Sequence, residues 1–180
     1  MSSSKFEGQP TLEGERLRLR PLRAEDYDPL YAVAKDPLIW EQHPYHDRWQ
    51  PEVFRRFFDG GLASGGALVA VDRADGAIVG SSRYDHHDAA AREVEIGWTF
   101  LARSYWGGTH NAEMKRLMLD HAFRFVDVVV FTVGGGNLRS RRAVEKIGAR
   151  LRDRLVRDGR EHVVYALTPE HCTLPLAPRD

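Results

Sequence analysis

The run Val128–Val133 (VVVFTV), five apolar residues and one threonine, sets the strongest limit on how this chain folds. A run that short cannot span a bilayer, and its β-branched content suits a strand with both faces covered. Such a strand needs neighbours in a sheet and helices on either side. The flanking sequence supplies them. Met114, Leu117, Met118, His121, Ala122 and Phe125 fall at i, i+3, i+4, i+7, i+8 and i+11 and form one helical stripe. Arg139–Ile147 reads as a shorter helix, with Gly148 at its C-terminal end.

Earlier in the chain, Arg16–Leu22 (RLRLRPL) alternates polar and apolar, the period of a half-buried strand. Ala24–Ala34 reads as a helix, with Glu25 and Asp26 near its positive end. A second helix starts at Pro51 and carries Val53, Phe54, Phe57, Phe58 and Leu62, with Gly60, Gly61, Gly65 and Gly66 ending it. Ala67–Asp72 and Ile78–Tyr84 flank an Ala-Asp-Gly turn and form a hairpin. Val94–Leu101 is a further strand, where Gly97 suggests a bulge or a close backbone approach. Arg150–Arg157 and Glu161–Leu167 close the chain as a hairpin around Asp-Gly. The order predicts an α/β (α+β) class with a mixed sheet. Residues 1–10 read as a loose lead-in, 11–170 as a single domain and 171–180 as a tail.

Charge narrows the partners. The 26 basic residues, 22 of them arginine, balance 26 acidic ones, and a neutral chain of 180 residues lacks the basic footprint of a nucleic-acid binder. The N-terminal ten residues have no signal-peptide core, and no apolar run suits a membrane span, so a cytoplasmic location is expected. Cys172 is the single cysteine. His43 and His46, and His86, His87 and Asp88, do not make a convincing ligand set, so no metal is expected. His43, Tyr45, His46 and Trp49 read as a packed aromatic loop or as the lining of an acceptor pocket.

Two segments have the composition for chemistry. Glu93–Met118 (EVEIGWTFLARSYWGGTHNAEMKRLM) reads as strand, glycine turn and helix start, a place where backbone N–H groups and the helix dipole favour a phosphate. Many such turns bind nothing, and this one is neither a P-loop nor a dinucleotide fingerprint. Val133–Ala149 (VGGGNLRSRRAVEKIGA) puts glycines at the end of the buried strand. There Asn137 caps a helix and Ser140 lies in its first turn.

Together, LEGERLRLRPL at Leu12–Leu22, EIGW at Glu95–Trp98, YWGG at Tyr105–Gly108 and NLRSRRAVEKIGA at Asn137–Ala149 resemble the GCN5-related N-acetyltransferase (GNAT) superfamily. The likeness is to its branch of ribosomal-protein N-terminal (RimJ/RimL-like) acetyltransferases and runs from about Leu12 to Leu167. Thr109 and Asn111 depart from the pattern, standing where the family's acyl-CoA loop usually has small residues.

The resemblance implies a GNAT-type fold, a central twisted mixed β-sheet flanked by helices. It implies two parallel strands that splay at Gly97–Leu101 and Val133–Asn137, with the pantetheine arm of acetyl-CoA on the backbone of Trp98, Thr99, Phe100 and Leu101. The pyrophosphate would lie on Trp106, Gly107, Gly108, Thr109, Asn111 and Ala112, with Lys115 and Asn137 as further contacts. Glu95 takes the position of the base, with Glu93 on the same strand face as a partner in that role, unless both glutamates serve surface arginines. Ser140 takes the position of the group that protonates the thiolate, unless it bonds only to local backbone. The reaction implied is acetyl transfer from acetyl-CoA to a primary amine, a protein N-terminus among the candidates. A small-molecule or antibiotic acetyltransferase and a non-catalytic CoA-binding domain are the alternatives. A homodimer is compatible, though no interface is legible.

Overall fold

The structure is a computed structural model and describes residues 5–178. In chain order its strands are β1 (Leu12–Glu13), β2 (Leu17–Pro21), β3 (Ala67–Asp72), β4 (Ile78–Asp88), β5 (Glu93–Leu101), β6 (Val128–Gly134), β7 (Arg150–Arg157) and β8 (Arg160–Leu167). Its helices are α1 (Tyr27–Ala34), α2 (Pro51–Ser64), α3 (Thr109–Ala122) and α4 (Leu138–Lys146). The eight strands form one sheet in the order β1-β2-β3-β4-β5-β6-β8-β7. All pairings are antiparallel except β5 with β6. The mixed-sheet class expected from the sequence is the one observed.

The apolar run becomes β6, an inner strand. Val129 and Phe131 point into the larger core with Met114 and Met118 of α3 and Val144 of α4, while Val130 is buried on the opposite side. The second core joins Phe54 and Phe58 of α2 to Leu30 of α1, Trp40, Val69 and Phe100. In β2, Leu17 and Leu19 are fully covered and Arg18 is exposed, as alternation requires.

Several boundaries differ from the sequence reading. The first helix divides into a 3-10 turn at Ala24–Asp26 and α1. Asp26 holds the Arg20 guanidinium at 2.8 and 2.9 Å and accepts the Arg23 amide at 2.8 Å, so it fixes the turn through specific bonds. Gly60 and Gly61 do not end the second helix. Both lie inside α2, which closes at Gly65 with φ +68°. Helix α3 begins at Thr109, inside the segment read as a turn. Strand β4 runs past Tyr84 to Asp88, through polar residues that carry no apolar alternation.

Within the segment expected as a lead-in, Phe6 and Glu7 touch the core. Phe6 packs against Tyr84 at 5.3 Å and Phe125 at 5.5 Å, and the His121 ring N–H donates to the Glu7 carbonyl at 2.7 Å. Residues 1–4 lie outside the described residues. Near the other end, the Thr173 amide bonds to the Ile147 carbonyl at 3.0 Å and the Ala177 amide to Asp120 at 2.7 Å. No helix among the described residues is long and apolar enough to cross a membrane.

Candidate active site

Strands β5 and β6 pair over three positions only: Glu93 with Val128, Val94 with Val129, and Glu95 with Val130. Beyond Glu95 they part, earlier than the splay expected at Gly97. The register between β4 and β5 slips between Ser81 and Arg83, and Trp98 takes a left-handed φ of +51°. The sequence pointed to Gly97, but the strained residue is its neighbour. A tryptophan there costs about 1–2 kcal/mol, so its surroundings must hold it. The Arg83 guanidinium lies 4.1 Å above the indole, and the hydroxyls of Ser82 and Thr99 bond at 2.8 Å across the bulge. Beside the fork lies a small cavity of about 10 Å³, lined by Ser82, Ile96, Thr99, Phe131, Met114 and Lys115 among others.

At the far end of β5, the Trp106 indole N–H bonds to the Leu101 carbonyl at 3.0 Å. The chain then turns through Gly107 (φ +67°) and Gly108 into α3. No side chain caps this helix start. The first-turn amides of Thr109, His110 and Asn111 therefore lack the partner that a serine or aspartate would supply. Lys115, one turn further on, makes no ion pair among the described residues, and burial lowers its pKa to about 8. An unpaired ammonium beside an open helix N-terminus is arranged to receive an anion.

Glu95 stands at the fork and is buried, with only 6% of its surface exposed. Its carboxylate meets His86 Nδ1 at 2.5 Å. His86 has a φ of +48° within a second slip of register, where β4 has two residues and β5 one between the pairs Asp85–Glu95 and Asp88–Glu93. The far side of His86 reaches solvent, its side chain being 60% exposed. Glu93 belongs to a different arrangement, because Arg152 of β7 grips it at 2.5 and 3.3 Å. The two glutamates thus go to separate partners, and only Glu93 serves an arginine.

From the end of β6, Asn137 is buried and its Oδ1 accepts the Ser140 amide at 3.2 Å, starting α4. The Ser140 hydroxyl makes no hydrogen bond among the described residues. Arg139 lies 4.0 Å over the Trp106 ring, which joins the α4 start to the glycine turn.

The opposite face of the sheet has a roof. Alternation puts Glu95, Thr132, Gly134 and His162 on one face. The loop between α1 and α2 crosses that face. Trp40 packs on Phe100 at 5.1 Å. Pro44 sits so close to Gly134 that a Cβ there would lie 2.5 Å from its Cδ, so only glycine fits. The Tyr45 hydroxyl donates to Asp158 at 2.7 Å. Of the four residues expected to line a pocket, His43 and Tyr45 are in this roof. His46 is exposed and Trp49 is 39% exposed.

Burial lowers the pKa of His43 to about 3, and burial lowers that of His121 as well. The unfolded chain protonates both near pH 6.5. Their contribution to stability is therefore complete above about pH 6.5 and is lost as the pH falls from there toward about 3. Tm should fall steadily between pH 7 and pH 4, and more gently in a His121→Gln variant.

Sequence reasoning missed His86, Arg48, Arg83 and His162. A hairpin register carried to Asp88 would have found the first. The others reach the site through tertiary packing alone.

A family model described as an acetyltransferase (GNAT) domain matches residues 16–150. The chain belongs to the GNAT acetyltransferase family. A comparison with curated proteins finds no match. Among solved structures, a GCN5-related N-acetyltransferase from Brucella melitensis aligns with TM-score 0.78 at 20% identity, over 93% of this chain and 82% of that one. A GNAT-family acetyltransferase from Bacillus anthracis aligns with TM-score 0.71 at 19% identity, over 89% and 99%. Those two likenesses are of fold. Mycobacterium smegmatis RimJ, solved in complex with CoA-disulfide, aligns with TM-score 0.64 at 25% identity, over 86% and 82%.

Proposed function

We propose that this GNAT domain transfers the acetyl group of acetyl-CoA to a primary amine, within the RimJ/RimL-like branch and with a protein N-terminal amine among its acceptors. The supporting observation is the fork itself. The parallel pairing ends at Glu95, and the opened cleft leads to an uncapped helix start beside an unpaired lysine.

Acetyl-CoA supplies an activated thioester when bound. The free edge of Trp98–Leu101 accepts the extended arm, and the turn of Trp106, Gly107, Gly108 and the amides of Thr109, Asn111 and Ala112 receive the pyrophosphate. Lys115 and the uncommitted amide nitrogen of Asn137 add side-chain contacts. The amine must attack uncharged, so an arriving ammonium first loses a proton. Glu95 takes its proton, and His86, bonded to Glu95 and open to water, passes that proton on. The amine nitrogen then bonds to the acetyl carbon and the carbon–sulfur bond breaks; the proton that the new amide nitrogen sheds goes to the departing thiolate, with the Ser140 hydroxyl donating to the sulfur and taking up that proton as it gives its own. Glu93 holds Arg152 and stays out of the reaction. The chain works in the cytoplasm, alone or as a homodimer.

Thiol release from acetyl-CoA across a panel of amines tests this reading. Turnover with at least one amine is expected. A rise in Tm with acetyl-CoA and no turnover on any amine would identify a CoA-binding module instead.

Lys115 gives the binding step a pH signature. An anion beside it raises its pKa, so binding takes up a proton near pH 8 and weakens as the pH climbs past about 8. Calorimetry in buffers of different ionisation enthalpy should show that uptake in the wild type and not in Lys115→Met.

A further inference from the structure

We propose that Arg48 and His43, in the roof over the Glu95 face, bind a carboxylate carried by the acceptor. The inference rests on the reading of this cleft as an acetyl-transfer site and deepens it by naming the class of acceptor.

Arg48 is held by rings. Its guanidinium lies 4.6 Å from the centre of Phe57, 4.8 Å from Tyr45 and 5.6 Å from Trp40, and it makes no ion pair among the described residues. Aromatic faces attract the charge yet accept few of its five N–H groups. Among the described residues, the polar atom within hydrogen-bond distance of its guanidinium is His43 Nε2, at 3.3 Å. That contact is not a hydrogen bond once the tautomer is worked out. The Tyr45 amide donates to His43 Nδ1 at 3.0 Å, so Nδ1 is the ring's acceptor. Burial keeps the imidazole neutral, with a pKa near 3. A neutral ring has one acceptor nitrogen, so the hydrogen sits on Nε2 and points toward Arg48. Two donors therefore converge with no acceptor between them.

The neighbouring arginines do not resolve this. Arg83 is paired with Asp85, and Arg160 lies 4.7 Å over the Tyr45 ring, whose hydroxyl holds Asp158. The surplus of positive donors lies in the roof, beside Tyr45 and Trp40. The anion-receiving helix start and Lys115 belong to the α3 side of the sheet, so the cofactor's phosphates have their own site. A planar carboxylate suits a guanidinium N–H and an imidazole N–H side by side. The carboxylate has two sources, the α-carboxylate of a free amino acid or an acidic side chain next to a peptide's N-terminal amine.

The test compares matched acceptors in the thiol-release assay: alanine against alaninamide, and alanyl-glutamate amide against alanyl-glutamine amide. The carboxylate member of one pair should be favoured about 10–100-fold in kcat/KM, and the pair concerned identifies the source. Arg48→Gln should erase that preference while leaving the KM for acetyl-CoA unchanged. Arg48→Lys should restore only part of it, because a point charge replaces a fork. Equal use of both members by the wild-type protein, or a preference that survives Arg48→Gln, overturns the proposal.

A binding measurement separates this failure from failure of the enzymatic reading. N-acetylalanine and N-acetyl-glutamyl amide, and the uncharged amide of each, are titrated with coenzyme A present, following tryptophan emission. Tighter binding of the carboxylates with no turnover of any amine would leave the anion site standing and remove the acetyl-transfer reading. Turnover without any carboxylate preference would do the reverse.

Discussion

Glu95→Gln should lower kcat/KM for amine acetylation about 10²- to 10⁴-fold near neutral pH, with the affinity for acetyl-CoA preserved. Glutamine keeps the shape of the buried side chain and can still meet His86, but it cannot take a proton. The deficit should also depend on pH. The α-amino group of a peptide loses its own proton as the pH passes about 8, so the variant should approach the wild type above that pH. A pH–rate profile from pH 6 to 10 measures both effects, and a deficit that is flat across that range would remove Glu95 from proton transfer. His86→Gln should have a smaller effect, because Glu95 would then hand its proton directly to water. The difference between the two variants measures how much the exposed imidazole contributes.

The framework of this site was legible wherever a simple period governs the chain. The alternation of Arg16–Leu22 gives β2, the stripe from Met114 to Ala122 gives α3, and the run at Val128 gives an inner strand. Legibility stops where the period breaks. Beyond Tyr84 the segment Asp85–Asp88 is polar and slips register, so nothing in its composition shows that His86 turns under Glu95. The separate fates of Glu93 and Glu95 are equally hidden, since Arg152 arrives from a strand 59 residues away. Gly60 and Gly61 look like helix breakers. Gly61 is instead buried inside α2, where a Cβ would come within 3.1 Å of Leu22, a reason that only packing supplies. The Arg48–His43 pair stands on an irregular loop, where neither spacing nor charge gives a pattern to follow.

The largest loss of stability from a single polar substitution is expected at Glu113. This buried carboxylate in α3 accepts the backbone amides of Glu15 at 2.7 Å, Arg16 at 2.9 Å and Leu17 at 2.8 Å. The fit is tight enough that a Cβ on Gly14 would lie 2.6 Å from the carboxyl carbon. Glu113→Gln replaces one accepting oxygen with an NH₂ that faces donors. The expected cost is on the order of 3 kcal/mol, a Tm decrease of about 6–12 °C. Chemical denaturation with an unchanged m-value would assign that loss to the folded state. A change below about 0.5 kcal/mol would show that the three amides find water instead. Because Glu113 lies in the turn of α3 that follows the uncapped start, acetyl-CoA affinity should weaken alongside stability.

That anchoring also sets an order of events in folding. Most strand pairings join chain neighbours, and β2 to β5 can zip in sequence. The ties of α3 are of another kind. Glu113 and His121 reach residues 96 to 114 positions earlier in the chain. Loop closure over such lengths grows only logarithmically in entropy, at about (3/2)RT ln n, but the intervening sheet must form before those contacts exist. The segment from Glu7 to Leu17 therefore waits as an open edge until the helix arrives. On the proposed reading of the glycine turn as the anion site, cofactor binding should be among the last properties that folding confers.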